Sequence, residues 1–204
     1  MNQRKPLPTV NAGSMADIAF LLLIFFLVTT SIDSDAGILK KVPRSSDEIV
    51  DIAERNLLRI QLNAQGDILI DEVVTPIAEV QANAIAFLDN GGIPKGVEGH
   101  CGYCQGMASK DASDNPQKAI ISITTHRETA YSDFIAVQNE VLSAYEILRD
   151  REARRLFDSG LKAMVLGLKD VSTPEAQKGI FKAQLATLRE RFPKKIVEAL
   201  LSKS

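Results

Sequence analysis

The chain reads as a single N-terminal transmembrane α-helix, then a small extracytoplasmic α+β domain of ββαβα order, then a helical C-terminal extension. Three observations predict this. One strongly apolar run, Met15 to Val28 (MADIAFLLLIFFLV), stands near the start. Two short runs beyond it alternate or cluster as strands, a third is more apolar, and helical stripes lie between and after them. Residues 160–204 carry helical spacing with cap and breaker residues.

Composition narrows the function. Two hundred and four residues suit one or two domains. Setting aside the membrane segment and tail leaves about 100–130 residues, enough for one modest core. A net charge of −2 carries no basic footprint for nucleic acid. Tryptophan is absent, as are a Walker A loop, a glycine-rich dinucleotide fingerprint and a GxSxG elbow. Two histidines, His100 and His126, are too few for a histidine-based metal centre. No motif argues for an enzyme, and none calls for a cofactor.

Residues 1–14 are polar, with Pro6 and Pro8, and form the N-terminal segment. Residues 15–32 form the expected membrane helix. At 1.5 Å per residue they give about 27 Å, close to a hydrocarbon core of about 30 Å. Arg4 and Lys5 before the run favour a cytoplasmic N-terminus, an imbalance that Lys40 and Lys41 partly offset. The rival reading is a cleaved signal peptide, with Thr29-Thr30-Ser31 as the small residues near the cut. Against it, an acid at the start of the apolar run weakens the positive region that such a peptide needs. A buried soluble helix is a second rival, opposed by apolar residues on every side from Ile18 to Val28.

Residues 33–55 read as a linker, with Ser46 able to cap a short helix over 46–55. The domain occupies 56–159. Leu58 to Leu62 alternates with period two, Asn63 to Asp67 is turn chemistry, and Ile68-Leu69-Ile70 returns as the second strand of a hairpin. Pro76 opens a helix whose apolar side is Ile77, Val80, Ala84, Ile85 and Leu88, ended by Gly91-Gly92. Residues 90–117 are a long inserted loop, rich in Gly, Ser, Asp and Asn. Ala119 to Thr124 is apolar enough to be a central strand. Ser132 or Asp133 starts a long helix striped by Phe134, Val137, Val141, Leu142, Tyr145 and Leu148, running to Phe157. Its charged second half, Arg149 to Arg155, reads as a solvated face. In residues 160–204, Thr173-Pro174-Glu175 reads as a cap, Phe181, Leu185 and Leu188 as one side of a helix, and the segment after Pro193 as a last helix. This extension is expected to cover the domain's open face.

Asp17 carries the chemistry. A charged side chain at mid-bilayer costs about 2.5–3.5 kcal/mol, so intramembrane carboxylates usually face a bundle interior or wet cavity and have a function. By position alone it is equally an interfacial anchor or a helix N-cap, where a carboxylate meets the positive end of the helix dipole. Ser14, Leu21, Ile24, Val28 and Ser31 share its face on a helical wheel. Ser14, Ser31 and, more weakly, Thr29 are the candidate polar residues of the span, although either serine can equally bond its own helix backbone and a Thr late in a membrane helix usually bonds a carbonyl one turn back. Cys101 and Cys104 form one C-x-x-C beside His100. A zinc site lacks ligands, and a thioredoxin-like site lacks the strand–helix setting, so a local disulfide is the preferred reading.

Asn11, Asp17 six residues on, the run Leu22 to Phe26 and Thr29 resemble the membrane signature of the ExbD/TolR family, closest to its Bacteroidetes-type ExbD-like members. A second patch, Tyr131 to Val141 followed by Ala144-Tyr145 and Leu148-Arg149, resembles the family too, as does the order of elements over residues 10–155. The resemblance implies an inner-membrane, single-pass protein with a periplasmic C-terminal domain. It further implies a homodimer inside an ExbB/TolQ-like multi-span ring, with Asp17 carrying protons and a TonB-like energy transducer receiving the motion. Gly13-Ser14 replace the commoner Thr-Pro before the acid's helix. The usual last strand is not evident unless Ala163 to Leu166 supplies it. Residues 90–117 and 160–204 look like additions, so peptidoglycan as a partner stays open. An ExbD-type import role, a TolR-type envelope role and a membrane-anchored scaffold that carries no protons all remain as readings.

Overall fold

The computed structural model describes residues 12–29 and 53–200, which belong to two separate units. The first unit contributes one helix, α1 (Ala12–Thr29), AGSMADIAFLLLIFFLVT. It begins three residues before the predicted span, and residues 30–32 of that span lie outside the described residues, as does most of the linker.

The second unit is a mixed α/β sheet with helices. A 3₁₀ turn (Glu54–Asn56) leads into β1 (Leu57–Leu62), whose buried residues Leu58, Ile60 and Leu62 alternate with the half-buried Leu57 and Gln61 and the exposed Arg59. The period-two pattern thus places one strand face in the core. The Asn63 side chain accepts from the N–H groups of Gln65 (3.0 Å) and Asp67 (2.8 Å), and Gly66 supplies a positive φ of 88°. The chain returns as β2 (Ile68–Ile70), antiparallel to β1.

A third strand, β3 (Val73–Val74), pairs with β2 through a turn that the sequence conceals. Asp71 and Glu72 both take positive φ, 46° and 71°, without a glycine. Asp71 can do so because its carboxylate accepts the Arg59 N–H at 3.2 Å.

Helix α2 (Ile77–Leu88) has Pro76 as its N-cap and buries Val80, Ala84, Phe87 and Leu88. Ile77 is 41% exposed, at the N-terminal end of the stripe where packing stops. The helix ends at Leu88, before the two glycines. Strand β4 (Ile120–Thr125) is central as expected, parallel to β1 on one side. Helix α3 (Tyr131–Phe157) follows and packs beside α2.

The C-terminal extension departs from expectation. Helices α4 (Leu161–Lys169) and α5 (Glu175–Arg191) are present, and Ala163 to Leu166 lies in α4 rather than in a strand. Beyond Pro193 the chain forms a strand, β5 (Ile196–Leu200), not a helix. It lies parallel to β4, giving the order β3-β2-β1-β4-β5. A short apolar run reads equally as strand or helix by periodicity, and the unpaired edge of β4 decides. The crossover that a parallel pair needs is α3–α4–α5. The extension therefore lengthens the sheet instead of lying over its open face.

The main core lies between one sheet face and α2–α3. It centres on Ile60, Leu62, Ile121, Ile123, Val141, Tyr145 and Phe192, all with 0% exposure. Fully burying each aliphatic side chain here contributes about 1.5–3 kcal/mol. A second cluster, Ala153, Met164, Leu185 and Leu188, joins the end of α3 to α4 and α5.

The charged half of α3 is a solvated face only in part: Arg154 and Arg155 are exposed, whereas Arg149 and Glu152 are buried. Arg149 is buried and its guanidinium donates to the Phe192 carbonyl at 3.0 Å. Arg151 forms a bidentate pair with Asp89, at 2.6 and 2.7 Å. Glu152, 0% exposed, accepts from Arg155 at 2.6 and 2.8 Å and from Arg191 at 2.6 Å. A carboxylate buried on this scale persists only because its lone pairs are filled by cations.

The inserted loop has no regular structure, and Asn90 and Asp114 are two of the side chains that hold it. Asn90 donates to the Ser109 and Ser113 carbonyls at 2.8 Å each and accepts the Ser109 N–H at 2.9 Å. Asp114 accepts from Arg55 (2.8 Å), Asn56 (3.1 Å) and Lys118 (3.2 Å). Those donors, Arg55 first, hold its carboxyl down at about 2 against an ordinary 3.8. A depressed carboxylate stabilises the fold above its unfolded pKa and loses that contribution as pH falls through the folded value. Urea midpoints of the wild-type chain are therefore expected to drop between pH 4 and pH 2. The drop should be smaller in Asp114→Asn, whose stability is already reduced at pH 7. Equal drops in both chains would remove Asp114 from this account.

Candidate functional site

Asp17 is the sixth residue of α1 and lies exposed in its second turn. Because the helix starts at Ala12, Asp17 is not its N-cap, and the first turn holds no acid. The orphan amides of a helix end belong to its first four residues, so the carboxylate sits beyond the strongest part of the dipole's end. It stands at the start of a surface, Ile18 to Phe26, that is apolar on every side. Phe20 and Leu23 are 61% and 59% exposed, and Ile24 and Phe26 are 42% and 62% exposed. Phe25 and Phe26 meet edge to face, with ring centroids 6.1 Å apart. A helix that is hydrophobic all round is ordinarily buried in lipid or in other protein.

Ser14 lies one turn before Asp17 in α1, and Thr29 is the helix's last residue. Ser31 lies outside the described residues. Residues 14, 17, 21, 24 and 28 share one face of α1, as the wheel places them. Among the described residues no helix is long and apolar enough to cross a membrane. Along its axis α1 rises about 27 Å, against a hydrocarbon core of about 30 Å.

In the second unit, Cys101 and Cys104 are joined in a disulfide. His100 bonds the Ile93 carbonyl through Nδ1 at 2.8 Å and so belongs to the loop's own scaffold. Among the described residues no group of three or more His, Cys, Asp or Glu is arranged to hold a metal ion. A cleft beside the 3₁₀ turn, of about 600 Å³, is lined by Glu54, Arg55, Arg59, Asp71, Glu72 and Lys110 among others. Its charges are mixed, and Arg55 and Arg59 already pair with Asp114 and Glu54.

Sequence reasoning missed the Arg155–Glu152–Arg191 cluster as a structural element. A signal was present. The stripe Val141, Tyr145, Leu148 continues by four residues to Glu152, on the face that packs inward. Its partner Arg191 comes from α5, as Arg151's partner Asp89 comes from α2's end, and no local pattern announces them.

No curated protein matches the chain. The family model described as biopolymer transport protein ExbD/TolR matches residues 3–146, from before α1 into the middle of α3. The match takes in Asp17 and the hairpin, α2 and β4, and it ends before the buried ion cluster, α4, α5 and β5. Covering more than half of the chain, it settles the relationship: the protein belongs to the ExbD/TolR family of biopolymer transport proteins.

Proposed function

We propose that this chain is the proton-carrying stator subunit of an ExbB–ExbD–TonB-like inner-membrane motor, which uses the proton motive force to energise transport across the outer membrane. Membership of the family supports a role in biopolymer transport and energy transduction. The observation that carries the finer reading is one acid in the second turn of a helix, directly before a run from Ile18 that is apolar on every side.

In this reading the run crosses the inner membrane with its N-terminus in the cytoplasm. Its small shortfall in length is met by local thinning of the bilayer and by the flanking Arg4 and Lys5. Two copies lie inside a multi-span ring. Protonated, Asp17 turns past apolar surface at little cost; ionised, it prefers a wet or polar-lined position. One elementary charge moved through the membrane potential yields about 2.3 kcal/mol per 100 mV. Alternation of the two states biases the pair's motion against the ring. Residues 33–55 pass that motion to the periplasmic domain and to a TonB-like transducer. Ser14, Thr29 and Ser31 are the polar residues proposed to line the path.

Two measurements test this. A photo-crosslinking residue at Ile24, on Asp17's face, should capture a larger multi-span membrane protein and a second copy of the chain. Capture of lipid alone, or recovery of the chain free of membranes, would sink the motor reading. Energy-dependent uptake by a deletion strain carrying Asp17→Asn measures the proton role directly.

A further inference from the structure

We propose that Cys101–Cys104 is a thiol–disulfide exchange site, and that its reduction loosens the joint between α5 and the edge strand β5. The bond closes a loop with a sequence separation of only three, so the chain-entropy account gives it little stabilising value. What it holds is more telling. Tyr103, between the two cysteines, donates from its hydroxyl to the Arg191 carbonyl at 2.8 Å. Its ring meets Phe192 edge to face at 5.4 Å, and the Arg191 guanidinium lies over it at 4.8 Å. Arg191 also pairs with Glu152, and the Phe192 carbonyl is held by Arg149. Strand β5 begins at Ile196, four residues on. Tyr103 is thus the wedge that seats the last turn of α5, and the disulfide holds the wedge.

The bond is also built to be attacked from one side. Cys101 is 6% exposed, whereas Cys104 is half-buried and flanked by exposed Gln105 and Gly106. The Cys104 backbone N–H donates to Cys101 Sγ at 3.1 Å, a bond that favours a thiolate on that sulfur. Gly91, at φ 66°, lets the loop floor approach: a Cβ there would lie 2.8 Å from Cys104 Cβ. A dithiol donor attacks Cys104 Sγ as its thiolate. The Cys101–Cys104 bond breaks, and Cys101 leaves as the stabilised thiolate. The donor's second thiolate then attacks the mixed disulfide and releases Cys104. Two electrons and two protons pass to the chain, and the donor departs as a disulfide. The rest of the loop stays anchored by Asn90 and Asp114, so the release is confined to residues 100–106 and what Tyr103 touches.

The test is deuterium exchange by mass spectrometry on the full chain in detergent, before and after dithiothreitol without denaturant, with the thiols counted by alkylation. Reduction should release two thiols and speed exchange over residues 190–200 by about tenfold, leaving α2 unchanged. Tyr103→Ala with the disulfide intact should show the same acceleration. A bond that survives dithiothreitol, a reduced chain with unchanged exchange at 190–200, acceleration spread equally over α2, or a silent Tyr103→Ala would each overturn the proposal.

Discussion

Asp17→Asn is expected to leave the chain at its wild-type level in membranes and to lower energy-dependent uptake to that of the deletion strain. The substitution is nearly isosteric, and it removes the ionised form, which is the costly one to insert. Insertion and helix formation therefore stay intact. On the proposed reading, what is lost is the ability to bind and release a proton, and with it the coupling to about 2.3 kcal/mol per charge per 100 mV. Asp17→Glu keeps a carboxyl on the same face, one methylene further out, and should restore part of the uptake. A scaffold that merely anchors its domain would tolerate both changes. Uptake measured in the three strains, with membrane level checked by blot, separates the accounts: normal uptake by the Asn variant would leave the anchored scaffold as the better one.

Glu152→Ala is the stability change with the largest expected effect. The side chain is 1% exposed and accepts three hydrogen bonds from two arginines. Removing one member of such a group leaves the others with buried charge and no counter-ion, and the partners' own partial exposure puts the cost at about 3 kcal/mol, the low end for buried pairs. For a unit of this size that corresponds to a fall in Tm of about 6–12 °C. Glu190→Ala, an exposed acid on α5, is the control and should stay within about 0.5 kcal/mol. Thermal unfolding by circular dichroism reads both. Because Arg155 and Arg191 hold the Glu152 carboxyl below its ordinary range, its contribution is present at neutral pH and fades as pH falls through the depressed value. A Glu152→Ala chain as stable as the control would mean that the arginines find water instead.

Much of the architecture is legible because it rests on local rules. The alternation in Leu58–Leu62, the Asn63–Asp67 turn and the apolar stripe of α3 each name their own secondary structure and buried face. Asp17 is legible for a different reason: an acid in an apolar run is costly wherever the chain goes, so its presence asks for a use.

Other features depend on partners far away in sequence. The strand at 196–200 exists because β4 has an open edge at matching register, which the letters IVEAL do not record. The turn at Asp71-Glu72 is accepted because Arg59 on the neighbouring strand supplies an amide to the Asp71 carboxylate. Arg149 to Arg155 look like surface charge one residue at a time. Arg149 and Glu152 are buried and Arg151 partly so, because α2's end and α5 bring Asp89, Arg191 and the Phe192 carbonyl to them. The sequence by itself determined the apolar helix, its single acid, the hairpin, the two main helices of the domain and the family to which they belong, since hydrophobic period and turn chemistry are short-range. Tertiary structure alone decided the fifth strand, the buried ion cluster and the seat of Tyr103, since a sheet edge and a buried charge are satisfied only by groups that folding brings from elsewhere in the chain.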